Sequence, residues 1–291
     1  QGLSRSRSPG PAADVDRVVP AALARAMVEV VDLTFAYGDG LPVFDGFSWT
    51  VQAGKAWAVI GPSGCGKSTL LYLIAGLRQP KGGRILVDGH PVPRPRASTG
   101  LVLQDYGLLP WATVWENVAL PMRLGQFYRA KGEAGNAERP YPRPDIVPQQ
   151  VDAWLERLGI ADQRSKYPAQ LSGGQRQRAA IARSLLQQPN LLLMDEPFSS
   201  LDAVTREDLQ LLTAELREET GVTTLVVTHT IEEAVFLGRR ILVLGQPPNV
   251  RPRIVDNAGA GEAAYRGQPA FWAKVAELRA LLGEESGGRS G

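Results

Sequence analysis

Two glycine-rich stretches, far apart in the chain, constrain what this sequence can fold into more than any other feature. The first reads Gly61-Pro62-Ser63-Gly64-Cys65-Gly66-Lys67-Ser68-Thr69 and the second Leu171-Ser172-Gly173-Gly174-Gln175. The first satisfies G-x-x-x-x-G-K-[ST]. It follows the short apolar run Ala56-Trp57-Ala58-Val59-Ile60, which suits a buried strand, and it precedes helical spacing from Ser68 to Ala75 that stops near Gly76. In that strand–turn–helix context, backbone N–H groups converge on a phosphate and the helix N-terminus favours its charge. Lys67 is then placed to reach the β- and γ-phosphates of a nucleotide, the Ser68 hydroxyl to coordinate Mg²⁺, and Thr69 to offer a second hydroxyl.

Leu191-Leu192-Leu193-Met194-Asp195-Glu196 sets four apolar residues before two carboxylates, so the charges emerge where a buried strand leaves its sheet. Asp195 is expected to hold Mg²⁺ through water, and Glu196 to orient and polarise an attacking water. The second glycine-rich stretch precedes a basic amphipathic helix ending near Gln187, so it too offers backbone donors, the Ser172 hydroxyl and a helix N-terminus to an anion. Both loops cannot cradle one phosphate group from the same subunit without clashing. The economical arrangement sets the second loop against nucleotide held by another copy of the chain.

The remaining pattern is a strand–helix alternation. Short strands broken by turns run from Val28 to Val51, followed by Arg84 to Val87, Gly100 to Leu103, Leu191 to Met194 and Val222 to Val227. Helical spacing occupies 113–128, 149–159, 203–218 and 269–282. Such alternation predicts an α/β fold with a mostly parallel sheet covered on both faces. Residues 1–26, rich in Ser, Arg, Pro and Ala, read as a disordered leader, with Met27 as the expected natural start. The stretch 130–148, with four prolines, reads as a solvated surface insertion. Lys plus Arg exceed Asp plus Glu by only two, so nucleic-acid binding has little electrostatic support. The single cysteine, Cys65, offers no disulfide framework and fits a reducing compartment. No apolar run approaches the ~18 residues that span a bilayer, so membrane contact is expected through a partner.

With these motifs in this order, the chain resembles the ATP-binding subunits of ABC transporters from roughly Met27 to Leu244. The resemblance implies a P-loop NTPase (RecA-like) core, an antiparallel β subdomain and an α-helical signature subdomain at about 107–186, together forming a cassette over 27–258 with a one-helix extension at 259–291. It implies ATP and Mg²⁺ as ligands. Residues 61–69 and the signature residues Ser172, Gly173, Gly174 and Gln175 would hold nucleotide from opposite sides of a dimer. Tyr37 matches the aromatic that stacks on adenine, and Gln104 the glutamine that reaches the metal and links nucleotide to the transmembrane partner. Ser200-Leu201-Asp202 matches the segment that crosses the dimer, and His229 the switch histidine at the γ-phosphate. Thr230, Leu103 and Ser200 depart from the residues usual beside these motifs, and none removes a catalytic group.

Residues 104–118 contain Leu108-Leu109-Pro110-Trp111 and then Trp115, an expected exposed patch beside Gln104. In the family this surface receives the permease, and the Leu-Leu-Pro-Trp string resembles the nitrate, sulfonate, taurine and bicarbonate importer group. The chain ends some sixty residues after His229, too short for the extra β-domain of sugar importers. The resemblance therefore implies a peripheral ATPase on the cytoplasmic face of the inner membrane, paired with a second copy, a separate permease and, indirectly, a soluble substrate-binding protein. An exporter or lipid-trafficking ATPase shares the same catalytic motifs and stays open as the alternative. A non-transport ABC ATPase of DNA repair or translation lacks support, because zinc cysteines, long coiled coils and a second cassette are missing from the sequence.

Overall fold

The computed structural model describes residues 26–130 and 147–287, with the side chains of 126–130 and 284–287 outside that description. The expected leader, apart from Ala26, and nearly all of the 130–148 insertion lie outside the described residues. From the start, β1 (Ala26–Ala36) and β2 (Pro42–Gln52) pair antiparallel. Then β3 (Ala56–Ile60) enters a different sheet and ends in the phosphate loop, from which α1 (Lys67–Ile74) leaves. β4 (Gly82–Val87) and β5 (His90–Pro91) return to the first sheet, which is antiparallel throughout with order β2-β1-β4-β5. After β6 (Thr99–Val102) come α2 (Val114–Ala130), α3 (Val147–Arg157) and α4 (Gly173–Leu185), which pack on one another. The chain continues through β7 (Leu191–Asp195), α5 (Ala203–Thr220), β8 (Thr223–Val227), α6 (Ile231–Leu237), β9 (Arg240–Val243), β10 (Arg253–Asp256) and α7 (Pro269–Gly287).

The second sheet has the order β10-β9-β3-β8-β7-β6 and is parallel except for β10. Its central strands β3, β7 and β8 are buried at every position, as apolar runs without alternation should be when both faces are covered. Period two still sorts their side chains. Trp57 and Val59 of β3, with Leu191 and Leu193 of β7, enter the core shared with α1 and the antiparallel sheet. Ala58 and Ile60, with Leu192 and Met194, enter the core beneath the other helices. Each such valine, leucine, isoleucine or methionine side chain removed from water contributes roughly 1.5–3 kcal/mol.

The register aligns the strand ends. Val59 lies opposite Val227, Asp195 opposite Val227, and Val102 opposite Met194. The phosphate loop, Gln104, Glu196 and His229 therefore all emerge at the carboxyl edge of one parallel sheet, where α/β folds bind ligands. The pattern reading left 231–256 without elements, and α6, β9 and β10 fill it. These are short, and β9 is a strand because it pairs with the distant β3.

Candidate functional site

The phosphate loop is held from within and from behind. Lys67 Nζ donates to the carbonyls of Gly61 at 2.9 Å and Pro62 at 3.0 Å, so its ammonium sits inside the curl of the loop. Asn249, from the turn after β9, donates through Nδ2 to Cys65 O at 2.8 Å, and its backbone N–H donates to Val43 O at 2.9 Å. Two glycines are required sterically. A Cβ on Gly61 would lie 2.6 Å from both Cys65 Sγ and Leu244 O, and Gly66 turns into α1 at φ +106° with Val43 Cγ1 2.5 Å from its Cβ position. Burial pushes the Cys65 thiol up, so it packs as a small apolar group.

At the first turn of α1, Ser68 Oγ donates to Asp195 Oδ1 at 2.8 Å, and Tyr72 Oη donates to Asp195 Oδ2 at 2.8 Å. Ser68 and Tyr72 share a helix face because they are four residues apart. Asp195 is only 2% exposed, and burial together with this carboxylate pushes the Tyr72 phenol up to about 12. A hydroxyl and a carboxylate converging beside a phosphate loop form a hard oxygen donor set that fits Mg²⁺. Tyr37 lies over the same helix, its hydroxyl 2.7 Å from Thr69 Oγ1 and its ring capped by the Arg78 guanidinium at 4.8 Å.

Glu196 follows Asp195 in the left-handed region at φ +45°, a strained conformation for a non-glycine residue that its N–H bond to Val227 O at 2.8 Å helps to hold. This turn aims its carboxylate along the sheet edge. Glu196 Oε2 lies 3.1 Å from His229 Nδ1 and 3.5 Å from Gln104 Nε2. The histidine side chain is 58% exposed and therefore accessible to a ligand.

The second loop is placed elsewhere. Ser172 caps α4, accepting from Gln175 N at 3.2 Å while its own N–H donates to Gln175 Oε1 at 3.0 Å. That helix packs on edge strand β6, three places from β3, or about 14 Å at the usual strand spacing. Among the described residues no hydrogen bond joins Ser172, Gly173, Gly174 or Gln175 to residues 61–69. Gly173 instead borders Leu201. Asp202 caps α5 through Thr205 N at 3.0 Å, and bonding from Thr205 holds its carboxyl below the usual range. The structure thus gathers Tyr37, residues 61–69, Gln104, Asp195, Glu196 and His229 into one group, and Ser172–Gln175 with Asp202 into another.

The patch after Gln104 divides. Asn117, fully buried, accepts from Leu109 N at 2.7 Å and donates to the carbonyls of Leu109, Ala112 and Thr113, which fixes the loop before α2. Trp111 projects from it, 73% exposed. Trp115, expected beside it on the surface, packs partly into the helical core and donates to Asp152 Oδ1 at 3.1 Å, because the first turn of α2 directs it toward α3. Tyr72, Asn249 and Arg78 had no sequence signal. Their roles arise from contacts between distant segments.

The family model described as "ABC transporter" matches residues 44–199, more than half of the chain. The chain belongs to the ABC transporter family. The taurine import ATP-binding protein TauB of Escherichia coli O157:H7 is 39% identical over 252 residues, covering 84% of this chain and 92% of TauB. The aliphatic sulfonates import ATP-binding protein SsuB of Bacillus cereus is 38% identical over 215 residues, covering 74% of this chain and 78% of SsuB. The dimeric ATP-binding cassette MJ0796 bound to ADP and Pi superposes with a TM-score of 0.65 at 30% identity, covering 79% of this chain and 98% of that one. As an ABC cassette the chain is an ATPase of the transport type. Among its described residues no helix is long and apolar enough to cross a membrane.

Proposed function

We propose that this chain hydrolyses ATP to energise a separate permease that imports a small sulfonate-like anion, and that it works as a dimer on the cytoplasmic face of the membrane. The observation that carries the reading is the Glu196–His229 contact at 3.1 Å, at the mouth of a phosphate loop whose Ser68 bonds the neighbouring Asp195. The sulfonate class rests on the likeness to TauB and SsuB and on the exposed Trp111 beside Gln104.

Tyr37 stacks on the adenine, and the backbone N–H groups of residues 61–69 enclose the phosphates. Lys67 exchanges its loop carbonyls for phosphate oxygens. Ser68 and Asp195, with Gln104 nearby, would hold Mg²⁺, which when bound neutralises charge on the β- and γ-phosphates. Glu196 accepts a proton from the attacking water, and His229 orients that carboxylate and reaches the γ-phosphate. Ser172, Gly173, Gly174 and Gln175 present the N-terminus of α4 to nucleotide held by the second copy, with Asp202 at the same face. Nucleotide closes the dimer because the closed state makes γ-phosphate contacts that the open one lacks. A soluble binding protein delivers the anion to the permease.

Glu196→Gln should retain ATP, accumulate as a dimer on size exclusion, and lose turnover by about 10²–10⁴-fold, the range of a general base. An unchanged hydrolysis rate would overturn the assignment. In vesicles holding the permease, hydrolysis should rise with binding protein loaded with taurine or an alkanesulfonate. Stimulation by nitrate- or bicarbonate-loaded protein alone would move the cargo to another anion.

A further inference from the structure

The turn that carries Gln104 away from β6 ends in a strained residue. Tyr106 lies in the left-handed region at φ +65°, where a residue other than glycine costs free energy and persists only if its surroundings over-determine it. Its N–H donates to Leu103 O at 3.0 Å, which closes the turn. The Arg183 guanidinium of α4 donates to the Tyr106 carbonyl at 2.8 Å and to that of Gly107 at 2.6 Å. The side chain adds a long-range tie, with Tyr106 Oη 2.7 Å from Ser200 Oγ, 94 residues further along the chain.

That tie holds a segment made of turns. Between Glu196 and Asp202, Ser199 N donates to Glu196 O at 3.3 Å and Leu201 N to Phe198 O at 3.3 Å. Ser200 is exposed, and among the described residues the Tyr106 phenol is the one side-chain partner of its hydroxyl. Ser200 also departs from the residue usual at that place in the family, and the bond gives the departure a partner. The same phenol borders the second glycine-rich loop. A Cβ on Gly173 would lie 3.4 Å from Tyr106 Oη and 3.0 Å from Leu201 Cδ2. The Arg176 guanidinium, which donates to Leu171 O at 2.7 Å, lies 5.4 Å over the Tyr106 ring. One side chain thus holds the Gln104 turn, the Ser200 segment and the first turn of α4 in a fixed relation. A segment already held in place loses less freedom when an interface forms than one that must be ordered at that moment.

We propose that Tyr106 is a positioning residue for the ATP-dependent dimer, presetting the Ser200–Asp202 segment and the Ser172–Gln175 loop for the second copy, a role that rests on the dimer proposed above.

The test uses the full chain carrying Glu196→Gln, so that ATP is retained, and reads the dimer dissociation constant in Mg-ATP by analytical ultracentrifugation. Tyr106→Phe keeps the ring under Arg176 and removes only the hydroxyl, while Ser200→Ala removes the other half of the bond. Tyr106→Phe should raise the dimer dissociation constant about threefold to tenfold, the range of one hydrogen bond. In a chain that already carries Ser200→Ala, Tyr106→Phe should change it by less than about twofold, because no bond is left to break. The affinity of the dilute Tyr106→Phe monomer for a fluorescent ATP analogue should stay within about twofold of the parent, which separates a weakened dimer from a damaged nucleotide site. The proposal fails if Tyr106→Phe leaves the dimer as tight as the parent, if it weakens the dimer by the same factor with and without Ser200→Ala, or if monomer nucleotide affinity falls as far as dimerisation does. A Glu196→Gln parent that binds ATP and stays monomeric would instead remove the dimer itself, and the role of Tyr106 with it.

Discussion

Single residues at the nucleotide edge sit in backbone conformations that their neighbours enforce. Gly66 is the sharpest case, with φ +106° at the entry to α1 and Val43 Cγ1 and Phe44 Cζ at 2.5 and 3.1 Å from any Cβ added there. An L side chain in this region costs roughly 1–2 kcal/mol before any overlap is counted. Val43 and Phe44 lie on the antiparallel sheet, so they cannot yield without moving β2. Gly66→Ala should therefore displace the N–H groups of the loop as well as destabilise the fold. Differential scanning fluorimetry with and without Mg-ATP reads both effects. Wild type should melt higher with nucleotide, by the linkage of ligand to the native state. The variant should melt several degrees lower and gain little from nucleotide. A full nucleotide-dependent gain in Gly66→Ala would show that the loop tolerates the substitution.

Elements were legible in the sequence to the degree that their signals are local. The runs Ala56–Ile60 and Leu191–Asp195 read as buried strands because every position is apolar up to the carboxylate, and the phosphate loop read as such because its spacing is contiguous. The short α6, β9 and β10 were silent, since Arg240–Val243 becomes a strand by pairing with β3 and Arg253–Asp256 by pairing with β9. Tyr72 and Asn249 were silent for the same reason, being ordinary residues until the fold brings Asp195 and Cys65 to them. Glu233 had no signal either, and it gives α6 a measurable pH dependence. Its carboxyl rises from the ordinary glutamate value of 4.5 to about 8 in the folded chain, chiefly through burial. Between those values the folded state keeps a proton that the unfolded state has lost. Its contribution to stability is complete below pH 4.5 and declines as pH rises toward 8, by at most about 1.4 kcal/mol per pH unit. Glu233→Gln cannot ionise and escapes that decline. Urea unfolding from pH 5 to 8 should show the variant gaining on wild type as pH rises, and a constant difference across that range would mean that Glu233 is charged in the native state.

For the whole molecule, the arrangement separates the residues proposed for hydrolysis from the surface proposed for coupling. Asp195, Glu196, His229 and the phosphate loop lie on the carboxyl edge of one sheet, while α2, α3 and α4 form a body beyond edge strand β6. The path between them runs through Gln104, which faces Glu196 at 3.5 Å, and Tyr106, whose hydroxyl is 2.7 Å from Ser200 Oγ. Arg183 donates to the carbonyls of Tyr106 at 2.8 Å and Gly107 at 2.6 Å, binding this turn to α4, whose first turn carries the second glycine-rich loop. Trp111 stands at the outer end of that path, on a loop made rigid by Asn117, with most of its ring in solvent. A preorganised exposed tryptophan is the kind of anchor that dominates an interface, and truncating such a residue costs about 2 kcal/mol or more of binding. Among the described residues no hydrogen bond joins Trp111 to the groups proposed to handle nucleotide. Trp111→Ala should therefore leave basal ATPase activity of the isolated chain within about twofold of wild type, while co-purification with the permease and stimulation by loaded binding protein fall by about tenfold or more. Asn117→Ala should weaken coupling in the same direction by freeing the loop that presents the ring. A Trp111→Ala complex that assembled and transported at the wild-type rate would place the permease contact on another face of the helical body.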